Sequence, residues 1–483
     1  MYQKSIKINA LLNTIKTISN ICFPLITFPY ISRVLQPENL GKINFGVAYI
    51  SYFSMIASLG ITTYAIRECA SVKNDKDELG ERASEIFSIN ICTTIVAYIL
   101  LIISILTLRK VDNYRELIMI QSLSIMFVTL GADWLNSAME DFAYITYRTL
   151  FFQVVSLILT FCLVKSSGDY LKYAIISVIS SSGANIVNIF YRRKYCRVIF
   201  TKNMNWEKHF KPIILLFVMI FAQTIFSSAD QTMLGIMKNN YEVGIYSTAL
   251  KIENVISQVV SSFVWVVMPR LAQYFENEDY IRINDLLKKA LSLLMCIGLP
   301  SIVGVCALSK EVVMIVGGKN YLEASSLLRI LMLSFGFSLI GGSFLGNMVL
   351  LPSKKENTYM WICCVTAIFN VALNYILIPY GGGKAAAFTT MLSSALIMTL
   401  LLLKKDKRIS LNYIGRISFS PIIGSLVIGA YCKIVSHFIH MLLLKTIICI
   451  IGSVIIYICV LIGMKNDLCI EVLEELRSRR KHD

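Results

Sequence analysis

The sequence predicts an all-α polytopic membrane protein of about fourteen transmembrane helices. Three observations carry that reading. Apolar residues make up 56% of the 483-residue chain, only 16% are charged, and mean hydropathy is +0.66. The apolar stretches follow one another almost end to end, with no soluble domain between them. A water-soluble globule of this size has too little interior to hide so much apolar surface, so lipid must be the solvent that accepts it.

Each element follows from the length that spans hydrocarbon. About twenty apolar residues cross as helix, because every backbone polar group must be satisfied within the segment. In chain order the stretches lie near Ile8–Tyr30, Lys42–Tyr64, Ser84–Leu108, Leu117–Asn136, Phe142–Val164 and Leu171–Tyr191. A second set lies near Pro212–Leu234, Val243–Met268, Leu286–Leu308, Ser325–Leu351, Thr358–Ile378 and Lys384–Leu403. Asn412–Val435 and Met441–Met464 complete the series. The first stretch is long, carries Lys16 and lacks a small-x-small cleavage pattern, so it reads as a retained span and not as a signal peptide.

Lysine and arginine set the orientation, since cytoplasmic loops retain an excess of them. With the N-terminus inside, about 29 basic residues fall in cytoplasmic segments and about 14 outside. Arg192, Arg193, Lys194 and Arg197 share one inside loop, and Lys404, Lys405, Lys407 and Arg408 share another. An even number of spans returns the C-terminus to the cytoplasm. This asymmetry accounts for the net charge of +16, and a nucleic-acid partner is excluded because the charge is spread over many short loops. Thirteen cysteines show no C-x-x-C or zinc spacing and read as small packing residues.

The chain reads as a doubled unit. Gly41 in Leu40–Ala48 and Gly244 in Val243–Leu250 each mark an expected outer turn before a long, polar-striped helix. They are about 203 residues, or six spans, apart, so the halves would share orientation. The expected organisation is a six-helix lobe at 1–200, a second at 201–408, two further helices at 409–464 and a cytoplasmic tail at 465–483. Within the tail, 471–480 reads as a short charged helix.

Polar residues inside spans are costly, and those sharing one helical face point to a wet cavity or to interhelical hydrogen bonding. Asn9, Asn13, Lys16 and Asn20 form such a stripe; so do Gln223, Ser227 and Asp230, and Lys251, Asn254, Gln258 and Ser261. Span two carries Asn44, Ser51, Ser54 and Ser58, and span eleven carries Thr366, Asn370 and Asn374. Lys16, Asp230 and Lys251 are charged, so each needs water, a counter-charge or a ligand, although Lys16 is also placed to snorkel. Asp133, Glu140 and Arg148, at the expected cytoplasmic end of spans four and five, read as a gate or as an inter-helix lock. Pro24 and Pro29 kink span one, whether as a moving joint or a static bend.

Several runs carry a resemblance. Gly131-Ala132-Asp133-Trp134-Leu135 is followed by Glu140-Asp141-Phe142-Ala143-Tyr144-Ile145-Thr146-Tyr147-Arg148, and Ala229-Asp230-Gln231-Thr232-Met233-Leu234-Gly235 by Val243-Gly244-Ile245-Tyr246-Ser247. With Leu59–Glu68 and Pro269-Arg270, these resemble the Wzx (RfbX-like) oligosaccharide flippases of the multidrug/oligosaccharidyl-lipid/polysaccharide exporter superfamily. The resemblance implies fourteen spans in two six-helix lobes and two C-terminal helices. It also implies movement of undecaprenyl-diphosphate-linked repeat units from the inner to the outer leaflet, for O-antigen or capsule. Its implied partners are that lipid-linked oligosaccharide, membrane lipid, a glycan polymerase and a chain-length regulator, with no cofactor. By the same resemblance Lys16, Arg67 and Lys251 would meet the diphosphate or acidic sugars; the polar stripes place Asn13, Asn20, Asp230, Asn254 and Asn370 along the same expected cavity.

Other classes stay in view. A cation-coupled drug exporter would favour an acidic cavity, whereas these stripes contain lysines. A lipid-linked peptidoglycan-precursor flippase shares the architecture. A membrane polymerase or acyltransferase would need catalytic groups in a substantial outer loop, and His437 and His440 stand near one without a convincing carboxylate. Gly317-Gly318-Lys319 and Gly383-Lys384 lack the spacing and hydroxyl of a phosphate loop, so ATP hydrolysis is not expected.

Overall fold

A computed structural model describes residues 6–471, without the side chains of 6–11, Asn13 and Met219. The expected tail helix beyond 471 and the side chains of Asn9 and Asn13 therefore lie outside the described residues. Among the described residues all regular secondary structure is helical. The first helices are α1 (Ile6–Ser58), α2 (Ile61–Ser71), α3 (Lys76–Thr107), α4 (Arg115–Gly131), α5 (Trp134–Ala138), α6 (Phe142–Leu163) and α7 (Tyr170–Tyr191). There follow α8 (Trp206–Met237), α9 (Asn240–Glu276), α10 (Tyr280–Ala307), α11 (Ser309–Val316) and α12 (Ala324–Ser338). The last are α13 (Glu356–Lys404), α14 (Ile414–Phe438) and α15 (Leu442–Gly463). Among the described residues, eleven helical stretches are long and apolar enough to cross a membrane. The all-α polytopic class is thus what the hydropathy demanded. Contacts group the chain into two units, Met1–Gly244 and Ile245–Asp483.

Where a loop was expected between the first two spans, the first unit has a single-residue break. α1 is interrupted only at Gln36, with φ 63° and ψ 167°. Pro37 favours a break here: its ring disfavours helical geometry in the residue before it, while its own fixed φ suits the first turn of the helix that follows. Gln36 Nε2 donates to the Arg33 carbonyl at 2.5 Å, satisfying an acceptor at the end of the first arm.

Gly41 and Gly244, expected at turns, instead lie inside helices where two backbones meet. A Cβ on Gly41 would sit 1.8 Å from the Asn240 carbonyl oxygen, and one on Gly244 2.1 Å from that of Pro37. Glycine is required here for close approach, not for a turn.

In the second unit α13 breaks at Gly382, with φ 54° and ψ −137°, a conformation that glycine adopts without a Cβ penalty. After α12 the chain widens into π-helix over Leu339–Leu350. Gly341 and Gly346 face Met398 and Tyr359 there, with room for no Cβ.

Exposure runs opposite to that of a soluble protein. On α15, Leu443, Leu444, Ile447, Ile450, Ile451, Val454, Ile455 and Ile458 are exposed, while Thr446, Cys449, Tyr457 and Leu461 are buried. The apolar face is turned to lipid, and the mixed face packs on α10 and α14, where Tyr457 Oη donates to the Cys296 carbonyl at 2.8 Å.

Candidate functional site

The first unit holds a cavity of about 700 Å³, built where α4 ends. Gly131 closes α4 against α7, and a Cβ there would lie 2.5 Å from the Asn185 Cβ. Ala132 then takes φ 46°, which stops the helix and turns the chain so that Asp133 and Trp134 line the cavity. The turn is tied to α7: Asn188 Nδ2 donates to the Gly131 carbonyl at 2.6 Å, and Asn136 Nδ2 donates to Asn188 Oδ1 at 2.7 Å and to Asp133 Oδ1 at 2.8 Å. These bonds explain why a glycine, an acceptor carboxylate and two asparagines occur in this local pattern.

Arg148 of α6 completes the turn. Its Nη2 donates to Asp133 Oδ1 at 2.5 Å, with the Arg148 side chain 5% exposed and that of Asp133 36% exposed. The guanidinium also lies 5.0 Å from the centre of the Tyr144 ring. Tyr144 stacks on Tyr191, with ring planes 7° apart. Beside them Asp141 accepts from the Tyr191 and Tyr195 hydroxyls, both at 2.8 Å. Burial first, and then the bond to Asp141, holds the Tyr195 hydroxyl protonated well above the ordinary tyrosine range.

The cavity wall is made of small hydroxyls and amides. Ser51, Ser54 and Ser58 come from the second arm of α1, Gln121 and Thr129 from α4, Ser181 and Asn185 from α7, and Thr224 from α8. Among the described residues that line it, Asp133 is the one charged group. Ser51 Oγ also donates to Ser228 Oγ of α8 at 2.9 Å, and Asn90 Nδ2 donates to the Ala57 carbonyl at 2.8 Å. Part of the polar wall thus joins helices as well as facing the void.

Of the residues singled out from sequence, the structure joins Asp133 to Arg148 and leaves Glu140 apart, bonded to Lys73 Nζ at 2.9 Å on the surface. Lys16 is half-buried on α1, and Asn20 Oδ1 accepts from Gln153 Nε2 of α6 at 2.7 Å. Arg67 is exposed on α2, and Asp230 is buried on α8. In the second unit Lys251 is half-buried and Asn254 exposed on α9. There Asn370 is buried on α13, its Oδ1 accepting from Asn374 Nδ2 at 3.0 Å. Lys16, Asn20 and Arg67 do not line the first-unit cavity. The stripe on α7 escaped sequence reasoning, although Ser177, Ser181, Asn185 and Asn188 recur at spacings of one helical turn and so carried the signal.

Comparison with known proteins places this geometry. The chain superposes on the lipid II flippase MurJ in its inward-closed conformation with a TM-score of 0.76 at 16% identity, covering 95% of this chain and 99% of that one. Against an inward-facing multidrug resistance MATE family transporter the TM-score is 0.61 at 11% identity, covering 82% and 96%. Sequence relatives include the capsular polysaccharide biosynthesis protein CapF of Staphylococcus aureus, 26% identical over 72% of this chain and 86% of its own length. A Shigella dysenteriae protein named for O-antigen transport is 24% identical over 75% of this chain and 91% of its own length. The lipid II flippase MurJ family model matches residues 245–463. The fold is that of polytopic membrane flippases and exporters. More particularly, the polysaccharide biosynthesis protein model matches residues 6–275, and the chain belongs to that family, as the motif resemblance implied.

Proposed function

We propose that the protein flips undecaprenyl-diphosphate-linked oligosaccharide repeat units from the inner to the outer leaflet of the bacterial cytoplasmic membrane, supplying O-antigen or capsule synthesis. The family match over residues 6–275 is the observation that carries this reading. The physical need is plain. A sugar diphosphate cannot cross about 30 Å of hydrocarbon unaided, because unpaired charges and hydroxyls are too costly to bury there. A protein-lined polar path lowers that barrier while the polyprenyl tail stays in lipid, and alternating access presents the headgroup to each side in turn.

In this reading the chain crosses the membrane fourteen times, as two six-helix lobes and two C-terminal helices. Eleven stretches meet the length and hydropathy of a span; the breaks at Gln36 and Gly382 divide two of them, and α4, with 17 residues, adds one more. Both termini are cytoplasmic, as the loop charges favour. Lys16, Arg67 and Lys251 supply positive charge for the diphosphate, and Asn13, Asn20, Asp230, Asn254 and Asn370 supply hydrogen bonds along the path. Asp133 and Arg148 act as an inter-helix lock, with Glu140 outside it. A glycan polymerase and a chain-length regulator receive the product.

Deletion in the parent bacterium tests the proposal. Lipid-linked repeat units should accumulate inside and surface glycan should be lost. Accumulation of lipid-linked peptidoglycan precursor instead would favour the second reading, which the MurJ match over 245–463 supports. Sensitivity to drugs with normal glycan would sink both.

A further inference from the structure

We infer that the first-unit cavity is a sugar subsite. It takes the neutral, hydroxyl-rich part of the lipid-linked substrate, with Trp134 Nε1–H as donor and Asp133 as acceptor, and it does not hold the diphosphate. The inference rests on the flippase reading and assigns one portion of that substrate to one cavity.

Three observations carry it. The first is charge. A diphosphate is recognised by cationic donors, bidentate arginine above all. Among the described residues lining the cavity there is no lysine, arginine or histidine, and the one charged group is a carboxylate, which repels phosphate. The second is an unused donor. Trp134 lines the cavity, is 4% exposed, and its Nε1–H has no partner within the protein among the described residues. An indole N–H donates only, so its complement is an acceptor such as a sugar hydroxyl or ring oxygen, against an apolar face that suits sugar C–H groups. The third is a prepared acceptor. Asp133 Oδ1 is occupied by Arg148 and Asn136, which fixes the carboxylate while its side chain stays 36% exposed. Its Oδ2 is oriented by that fixed Oδ1 and is left for a ligand hydroxyl. The surrounding serines, with Gln121 and Asn185, both donate and accept, which suits a ligand whose hydroxyls do the same. About 700 Å³ falls in the range of small-molecule sites.

The test uses the full chain in nanodiscs and two probes: undecaprenyl diphosphate carrying no sugar, and the undecaprenyl-diphosphate-linked oligosaccharide extracted from the parent cells. Trp134→Phe keeps an aromatic face and removes the donor; Ser181→Leu fills the cavity from another helix without touching the Asp133 anchor. Each should weaken binding of the oligosaccharide-bearing probe about tenfold, the scale of one hydrogen bond, and leave undecaprenyl diphosphate binding unchanged. That unchanged binding also reports that the variants fold. Equal loss for both probes, or loss for neither, overturns the sugar assignment while the flippase reading stands. Wild-type protein that binds neither probe overturns the flippase reading, and the subsite falls with it.

Discussion

Asp133 and Arg148 are joined across the turn between α4 and α6 by a 2.5 Å bond whose two ends differ in environment: Arg148 is almost fully buried, whereas Asp133 reaches the cavity. The pair therefore has a strong and a weak side. Removing Asp133 strands a buried guanidinium whose Nε and Nη1 already lack hydrogen-bond partners among the described residues. Removing Arg148 leaves a carboxylate that water can reach. Asp133→Ala should cost about 3 kcal/mol and Arg148→Met about 1 kcal/mol. Chemical denaturation in detergent would measure both, and a larger loss for Arg148→Met would refute the assignment of sides.

Glycines in this chain make opposite demands. At Gly131 a methyl would meet Asn185 Cβ at 2.5 Å, whereas at Gly304 in α10 nothing lies within 4 Å. Gly131→Ala should destabilise by about 1–3 kcal/mol through forced separation of α4 from α7. Gly304→Ala should be neutral or stabilising by up to about 1 kcal/mol through helix propensity. Thermal melts that gave both substitutions the same sign would count against these packings.

Gln36 holds a backbone conformation that a side chain opposes. Gln36→Gly removes that opposition but also the bond to Arg33, so stability should change by no more than about 1 kcal/mol. A β-branched residue has neither relief, and Gln36→Val should lose about 1–3 kcal/mol. Equal stability of the glycine and valine variants would show that the break is elsewhere.

The loop between α13 and α14 gives a pH test. Hydrogen bonds from Arg408, with Lys355 near, hold the Asp406 carboxyl below the usual carboxylate range. A depressed pKa stabilises the fold above the unfolded value, about 3.9, and that stabilisation disappears as pH falls through the folded value. The deficit of Asp406→Asn against wild type should be complete at neutral pH and should shrink only below about pH 4. Denaturation midpoints measured across that range would check it; a deficit that grew on acidification would contradict the sign.

Much of the architecture was legible because lipid imposes one rule on every segment. The long apolar runs specify helices whatever their packing. The motif around Asp133 and Arg148 was readable for a related reason: charged residues near membrane depth are costly, so they stand out. What sequence did not reveal depends on how residues are placed in space. Gly41 and Gly244 look like turn glycines, and only tertiary contact distinguishes a turn from a helix crossing. Glu140 lies close to Arg148 in sequence yet pairs with Lys73, 67 residues away, because its φ of 55° directs it out of the turn. Trp134 read as a motif letter, and its unsatisfied N–H becomes visible only once its neighbours are placed.

The single-residue joint at Gln36 has a mechanical meaning. A loop of several residues would absorb a rotation of one arm before its neighbour felt it; one residue leaves no slack. The second arm, residues 37–58, is about 33 Å long, so turning it by about 10° at Gln36 sweeps its far end, where Ser54 and Ser58 border the cavity, through about 6 Å. Geometry at one peptide thus becomes displacement on the scale of a sugar ring, with a helix as the lever.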